Sequence, residues 1–92
     1  MKTDARRASR IFEGVVRNGR GEHLGRIEDL VLDLEDGRIE YALLTLDEHE
    51  MAGVRRVVTV PWSSLHRQDD GRAFLLEVSK RTLLAVSMNV HD

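Results

Sequence analysis

A chain of 92 residues has room for one core, because a domain this size buries roughly 60–65% of the surface its unfolded chain exposes. Hydrophobic residues at 41% and charged residues at 33% give a globular, well-solvated balance. The lack of cysteine excludes disulfides, thiolate metal sites and cysteine nucleophiles. The net charge of −2 hides an asymmetry: six basic residues up to Arg20 oppose Asp4 and Glu13, while ten acids between Glu22 and Glu50 oppose Arg26 and Arg38. Either this is a solvated basic arm and acidic rim, or it is a bipolar surface that orients subunits or partners.

Residues 1–10 form a basic arm with no apolar stretch that could serve as a signal-peptide core. No apolar run approaches the ~18 residues that span a bilayer, so cytoplasm is the expected compartment. The first strand-like run is Ile11 to Val16, with Gly14 marking a bend or bulge. After the Asn18-Gly19-Arg20-Gly21 turn signal, a second run extends from His23 to Leu34. In it Leu30, Leu32 and Leu34 alternate with Val31 and Asp33, while Ile27 falls out of phase. A β-bulge near Glu28-Asp29 would restore the register and bend the strand.

Beyond Glu35-Asp36-Gly37, the third run, Arg38 to Leu46, is apolar on both faces. Ile39, Tyr41, Leu43 and Thr45 share one, and Ala42, Leu44 and Leu46 share the other. Covering the second face takes other parts of the chain or a second subunit. A fourth run, Val54 to Val60, stops at Pro61, the only proline. Trp62 then leads into a turn or 3₁₀ segment, Ser63 to His66. The fifth strand is expected at Phe74 to Val78, with Phe74, Leu76 and Val78 inward. Ser79 is the expected N-cap of a short helix, Lys80 to Val86. The tail, residues 87–92, is expected to fray. Closely spaced Gly-containing turns between Val-, Ile- and Leu-rich runs argue for a compact antiparallel sheet or barrel.

Four stretches in this order and spacing carry a family resemblance: Gly21 to Asp33, Gly37 to Leu44, Val60-Pro61-Trp62-Ser63-Ser64-Leu65, and Leu76-Glu77-Val78-Ser79 leading into Leu83. Together they resemble the PRC-barrel domain family, the β-barrel of the photosynthetic reaction centre H subunit and of the C-terminal domain of a ribosome-maturation factor. The resemblance covers Ile11 to Val86. It implies a mainly β fold: a small antiparallel barrel of five to six strands with a short C-terminal helix, here as a free-standing member. It also implies protein–protein contact and no common catalytic residues. The chain departs from the pattern after the helix, where Val86-Ser87-Met88 replaces the proline often found there, and in its arginine-rich arm.

The residues themselves offer little chemistry. Gly19, Gly21 and Gly25 are spaced G-x-G-x-x-x-G and lead into a strand, so a hairpin turn accounts for them better than a dinucleotide loop. Glu22-His23 and Asp47-Glu48-His49-Glu50 are the only acid–histidine clusters, and an exposed charged loop is the simpler reading of the second. Metal binding there would need His23 or His91 to converge on it. Ser63, Ser64 and His66 near Asp69 and Asp70 lie in a turn, and local proximity does not make a triad. Trp62 is either a core plug or a recognition anchor. Four aromatic residues and a slightly acidic chain argue against a single-strand nucleic-acid binder.

The expected function is therefore a non-enzymatic protein–protein interaction or assembly module without cofactor, metal or catalytic residues, acting as a homodimer or with another protein. The expected contact is Ala42, Leu44 and Leu46 on an outer face of the third strand, with Met51 and Val54. The alternative is an RNA- or ribosome-associated assembly factor that uses the basic arm on phosphate.

Overall fold

The computed structural model describes residues 11, 14–46, 54–68 and 73–91; the side chains of Val54 and His91 lie outside that description. Seven strands and a short helix follow one another along the chain: β1 (Val15–Arg17), β2 (His23–Asp33), β3 (Arg38–Leu46), β4 (Val54–Pro61), a 3₁₀ turn (Trp62–Ser64), β5 (His66–Gln68), β6 (Ala73–Leu75), α1 (Lys80–Val86) and β7 (Met88–His91). The strands form one sheet in the order β5-β6-β1-β2-β3-β4-β7.

Four expectations are corrected here. The sheet is mixed, because the β5–β6 hairpin returns to dock beside β1 with β6 running parallel to it. It has seven strands, not five or six, because the short β5 and β7 take their conformation from the strands they pair with, not from a pattern of their own. Among the described residues it does not close into a barrel: β5 and β7 remain its two edges. The segment expected to fray from Ser87 instead supplies β7, which pairs antiparallel with β4 from Val54↔His91 to Val57↔Met88.

The long β2–β3 hairpin dominates the molecule, whose extents are 46 × 31 × 19 Å. Its turn is built from side chains: Asp33 Oδ1 accepts the Glu35 N–H at 2.9 Å and Asp36 Oδ1 accepts the Arg38 N–H at 3.0 Å. Gly37 closes the turn at φ +73°, a region other residues enter only with strain. The register of β2 against β3 slips between Ile27 and Asp29, leaving Glu28 as the extra residue. This is the bulge the phase break at Ile27 predicts. It lets both Ile27 and Leu30 face the core, opposite Leu44 and Ala42.

The core lies on one side of this sheet. Val16, Leu24, Ile27, Ala42, Leu44, Leu46, Val58, Val60 and Phe74 come from the strands, Leu65 and Leu76 from the connections, and Leu83 from α1. Gly14 precedes β1, where its N–H bonds to the Ile11 carbonyl and its own carbonyl accepts the Ile27 N–H. A Cβ there would sit 2.9 Å from the Phe74 ring, so the bend needs glycine. Phe74 and Leu76 point inward as expected, but the strand ends at Leu75 and the chain leaves the ladder towards α1. Ser79 caps the helix as expected: its Oγ accepts the Thr82 N–H at 3.1 Å. At the other end, Ser87 Oγ donates to the Leu84 carbonyl and accepts from Arg56 Nη1, which ties the helix to β4.

Candidate functional site: the outer face of the central hairpin

Paired residues of an antiparallel ladder share a face, and successive residues alternate. Ala42 pairs with Leu30 and Val60, and Leu44 with Ile27 and Val58, so this set faces the core. Ala42 and Leu44 are fully buried and Leu46 is 3% exposed. The expected outer-face contact at Ala42, Leu44 and Leu46 is therefore corrected. The strand has two apolar faces, but the outer one is the other set, Tyr41, Leu43 and Thr45; a second register shift, between Val31 and Leu32, pairs Ile39 with Leu32 and takes it off that face. The composition held a clue, since Ala42, Leu44 and Leu46 are purely aliphatic, whereas the other set includes a tyrosine hydroxyl and a threonine that water can solvate. Met51 lies outside the described residues, and Val54 is placed only by its main chain at the start of β4.

On this outer face Tyr41 stands between Val31 and Pro61, Leu43 between Asp29 and Thr59, and Thr45 between Arg26 and Val57. Val57 pairs in turn with Met88 of β7, which is 70% exposed. Val31 and Tyr41 are 49% and 44% exposed. Towards the hairpin tip Leu32 and Leu34 also face water, because the hairpin outruns the core beneath it. Glu28, the bulge residue, makes an ion pair with Arg55 of β4. The bulge thus turns a register correction into a side chain that reaches across β3.

Charge is distributed unevenly along the same hairpin. At the start of β2, Arg17 stands directly opposite His23, and Arg26 pairs with Val15, two pairs beyond the register shift between β1 and β2. His23 is held below the usual histidine value, first by burial and then by the positive fields of Arg17, Arg26 and Lys80. At the far end, carboxylate oxygens of Asp33, Asp36 and Glu40 lie within 4.8 Å of one another. Two of these three carboxylates already accept turn N–H groups, so the cluster is part of the turn's construction.

The remaining chemical candidates stay apart. Ser63 and Ser64 are in the 3₁₀ turn and His66 is in β5, with no hydrogen bond between them among the described residues; Asp69 and Asp70 lie outside that description. Trp62 is half-buried against the core, its ring centroid 5.7 Å from that of Phe74. The acid–histidine loop Asp47–Glu50 and the arm at residues 1–10, on which the RNA alternative rests, lie outside the described residues. A shallow cleft is lined by Asn18, Gly19, Arg20, Glu77, Val78 and Ser79. Asn18, its buried member, spends both ends of its amide within the fold.

Among the described residues, no helix is long and apolar enough to cross a membrane. No curated protein matches the sequence. The family model of the PRC-barrel domain, a non-catalytic module, matches residues 4–83, from the basic arm to the middle of α1. The match spans the sheet's central strands and most of the chain, and so the protein belongs to the PRC-barrel domain family.

Proposed function

We propose that this protein is a non-enzymatic interaction module that self-associates through the outer face of β2, β3 and β4. The observation that carries this reading is the second apolar surface of the sheet, where Val31 and Tyr41 stand nearly half exposed beside Leu43. Single exposed apolar residues are ordinary, but a contiguous set on a rigid sheet favours a partner that removes it from water. A face made of strand residues also loses little conformational entropy on binding, since its backbone is already fixed.

The test is the mass in solution by light scattering over a dilution series, for the wild type and for Tyr41→Glu. The wild type is expected to rise above the monomer mass of 10.5 kDa as concentration increases. Tyr41→Glu is expected to stay at the monomer mass with an unchanged circular dichroism spectrum. A wild type that remains monomeric at every concentration ends the self-association reading and turns the search to a different protein as the partner.

A further inference from the structure

The exposed charges along β2 form an antisymmetric series. Arg17 of β1, opposite His23, and then Arg26 give the first half of the strand a positive outer side; Asp29 gives the second half a negative one, followed by Asp33, which pairs with Arg38 in a tip that Asp36 and Glu40 keep acidic. Arg26 and Asp29 are both exposed, and both lie on the face that carries Thr45, Leu43 and Tyr41. Between them the Glu28–Arg55 pair cancels its own charge. A two-fold axis through the middle of a surface requires such a pattern, because it lays each half of the patch on the opposite half of the other copy.

Resting on the interaction face proposed above, we infer that the occupant of that face is a second copy of this chain, docked antiparallel about a two-fold axis that crosses β2 between Arg26 and Asp29. Arg26 of each copy then meets Asp29 of the other. The acidic hairpin tip with Asp33, Asp36 and Glu40 lies over the Arg17–His23 end of its mate. Val31, Leu43 and Tyr41 fill the space between these charged zones.

The dimensions support a contact of modest strength. Eleven residues of β2 give a face about 36 Å long, and three strands give a width of about 14 Å. Two such faces bury on the order of 1,000 Å², at the lower limit for a specific interface. At that size, complementary charge decides orientation and partner choice. The dimer is therefore sensitive to salt, since about 1 M salt shortens the screening length to about 3 Å.

The experiment reverses the two charges beside the axis and follows association by sedimentation velocity at about 50 mM and about 500 mM salt. Arg26→Glu alone sets two acids against each other, and Asp29→Lys alone sets two cations against each other. Each is expected to weaken self-association by about tenfold or more at low salt. An equimolar mixture of the two single variants is expected to form a one-to-one dimer. The double variant Arg26→Glu/Asp29→Lys is expected to dimerise with itself and to exclude the wild type, which fluorescently labelled chains would report. Circular dichroism and thermal melts check that each variant folds.

A double variant that mixes freely with the wild type overturns this inference. If Tyr41→Glu still abolishes the dimer in that case, the interaction face stands and only its orientation was misread. A wild type that never dimerises overturns both.

Discussion

Asn18 is 5% exposed, yet both ends of its amide are in use. Its Oδ1 accepts the N–H groups of Arg20 and Glu22, each at 3.0 Å, which shapes the β1–β2 turn. Its Nδ2 donates to Glu22 Oε1 at 2.7 Å and to the Val78 carbonyl at 3.1 Å, sixty residues away in sequence. The residue therefore pins a local turn to the segment that leads into α1. Asn18→Ala leaves those partners without their bonds and is expected to cost about 1–2 kcal/mol, read as a lower urea midpoint with an unchanged slope. A midpoint equal to the wild type's would mean that water replaces the side chain without loss. His23 gives a second test at this scale. Because its pKa in the folded protein is depressed, the unfolded chain takes up the proton first as pH falls. Stability is then flat above the ordinary histidine value of about 6.5 and declines as pH falls from there through the folded pKa. Imidazole proton shifts should give a midpoint below about 6.5 in the wild type, moving upward in Arg17→Gln, since Arg17 is the largest of the charged contributors.

The β2 bulge shows what one inserted residue does to an element. Glu28 lets Ile27 before it and Leu30 after it face the core together. Removing it turns one side of that set to solvent, since a shift of one residue reverses every side chain beyond it. Deletion of Glu28 is expected to abolish cooperative unfolding or cost several kcal/mol. Glu28→Ala keeps the register, loses only a partly exposed ion pair, and should cost about 1 kcal/mol or less. Equal, small effects from both would show that the register is held elsewhere. This element was legible in the sequence because phase is a local property: Ile27 is visibly out of step with Leu30. β3 and α1 were legible for the same reason, through alternation and a serine cap. What sequence could not supply was the side of the sheet on which the core forms. Ala42, Leu44 and Leu46 and their opposite set are both largely apolar; Tyr41 and Thr45 in the latter are a clue, and pairing with Ile27, Val58 and Val60 decides between them. Leu32 misleads for a related reason: it continues the alternation of Leu30 beyond the point where any core remains to receive it. β7 was illegible because Met88-Asn89-Val90-His91 becomes a strand only by lying along β4.

For the whole molecule, a domain this small has little stability to spare, with total values for native domains near 5–15 kcal/mol. The two apolar faces divide the work. Leu44 and its neighbours hold the monomer together, while the face with Tyr41 and Val31 gains only when something covers it. Association that involves only the folded state must then raise the apparent stability by mass action, about 2.7 kcal/mol where the free chain is a hundredfold above its dissociation constant. In a domain of this length each 1 kcal/mol moves the melting temperature by about 4–8 °C. The melting temperature of the wild type at low salt is therefore expected to climb by about 10 °C or more from the dilute limit to a concentration that far above the dissociation constant. At about 500 mM salt the climb should largely disappear, because the charge pairs proposed to orient the contact would be screened. Tyr41→Glu should melt where the dilute wild type does, at every concentration. The core would then be untouched and the coupling between association and stability cut. A melting temperature independent of concentration in the wild type would mean that the outer face contributes nothing to the folded state beyond the single chain.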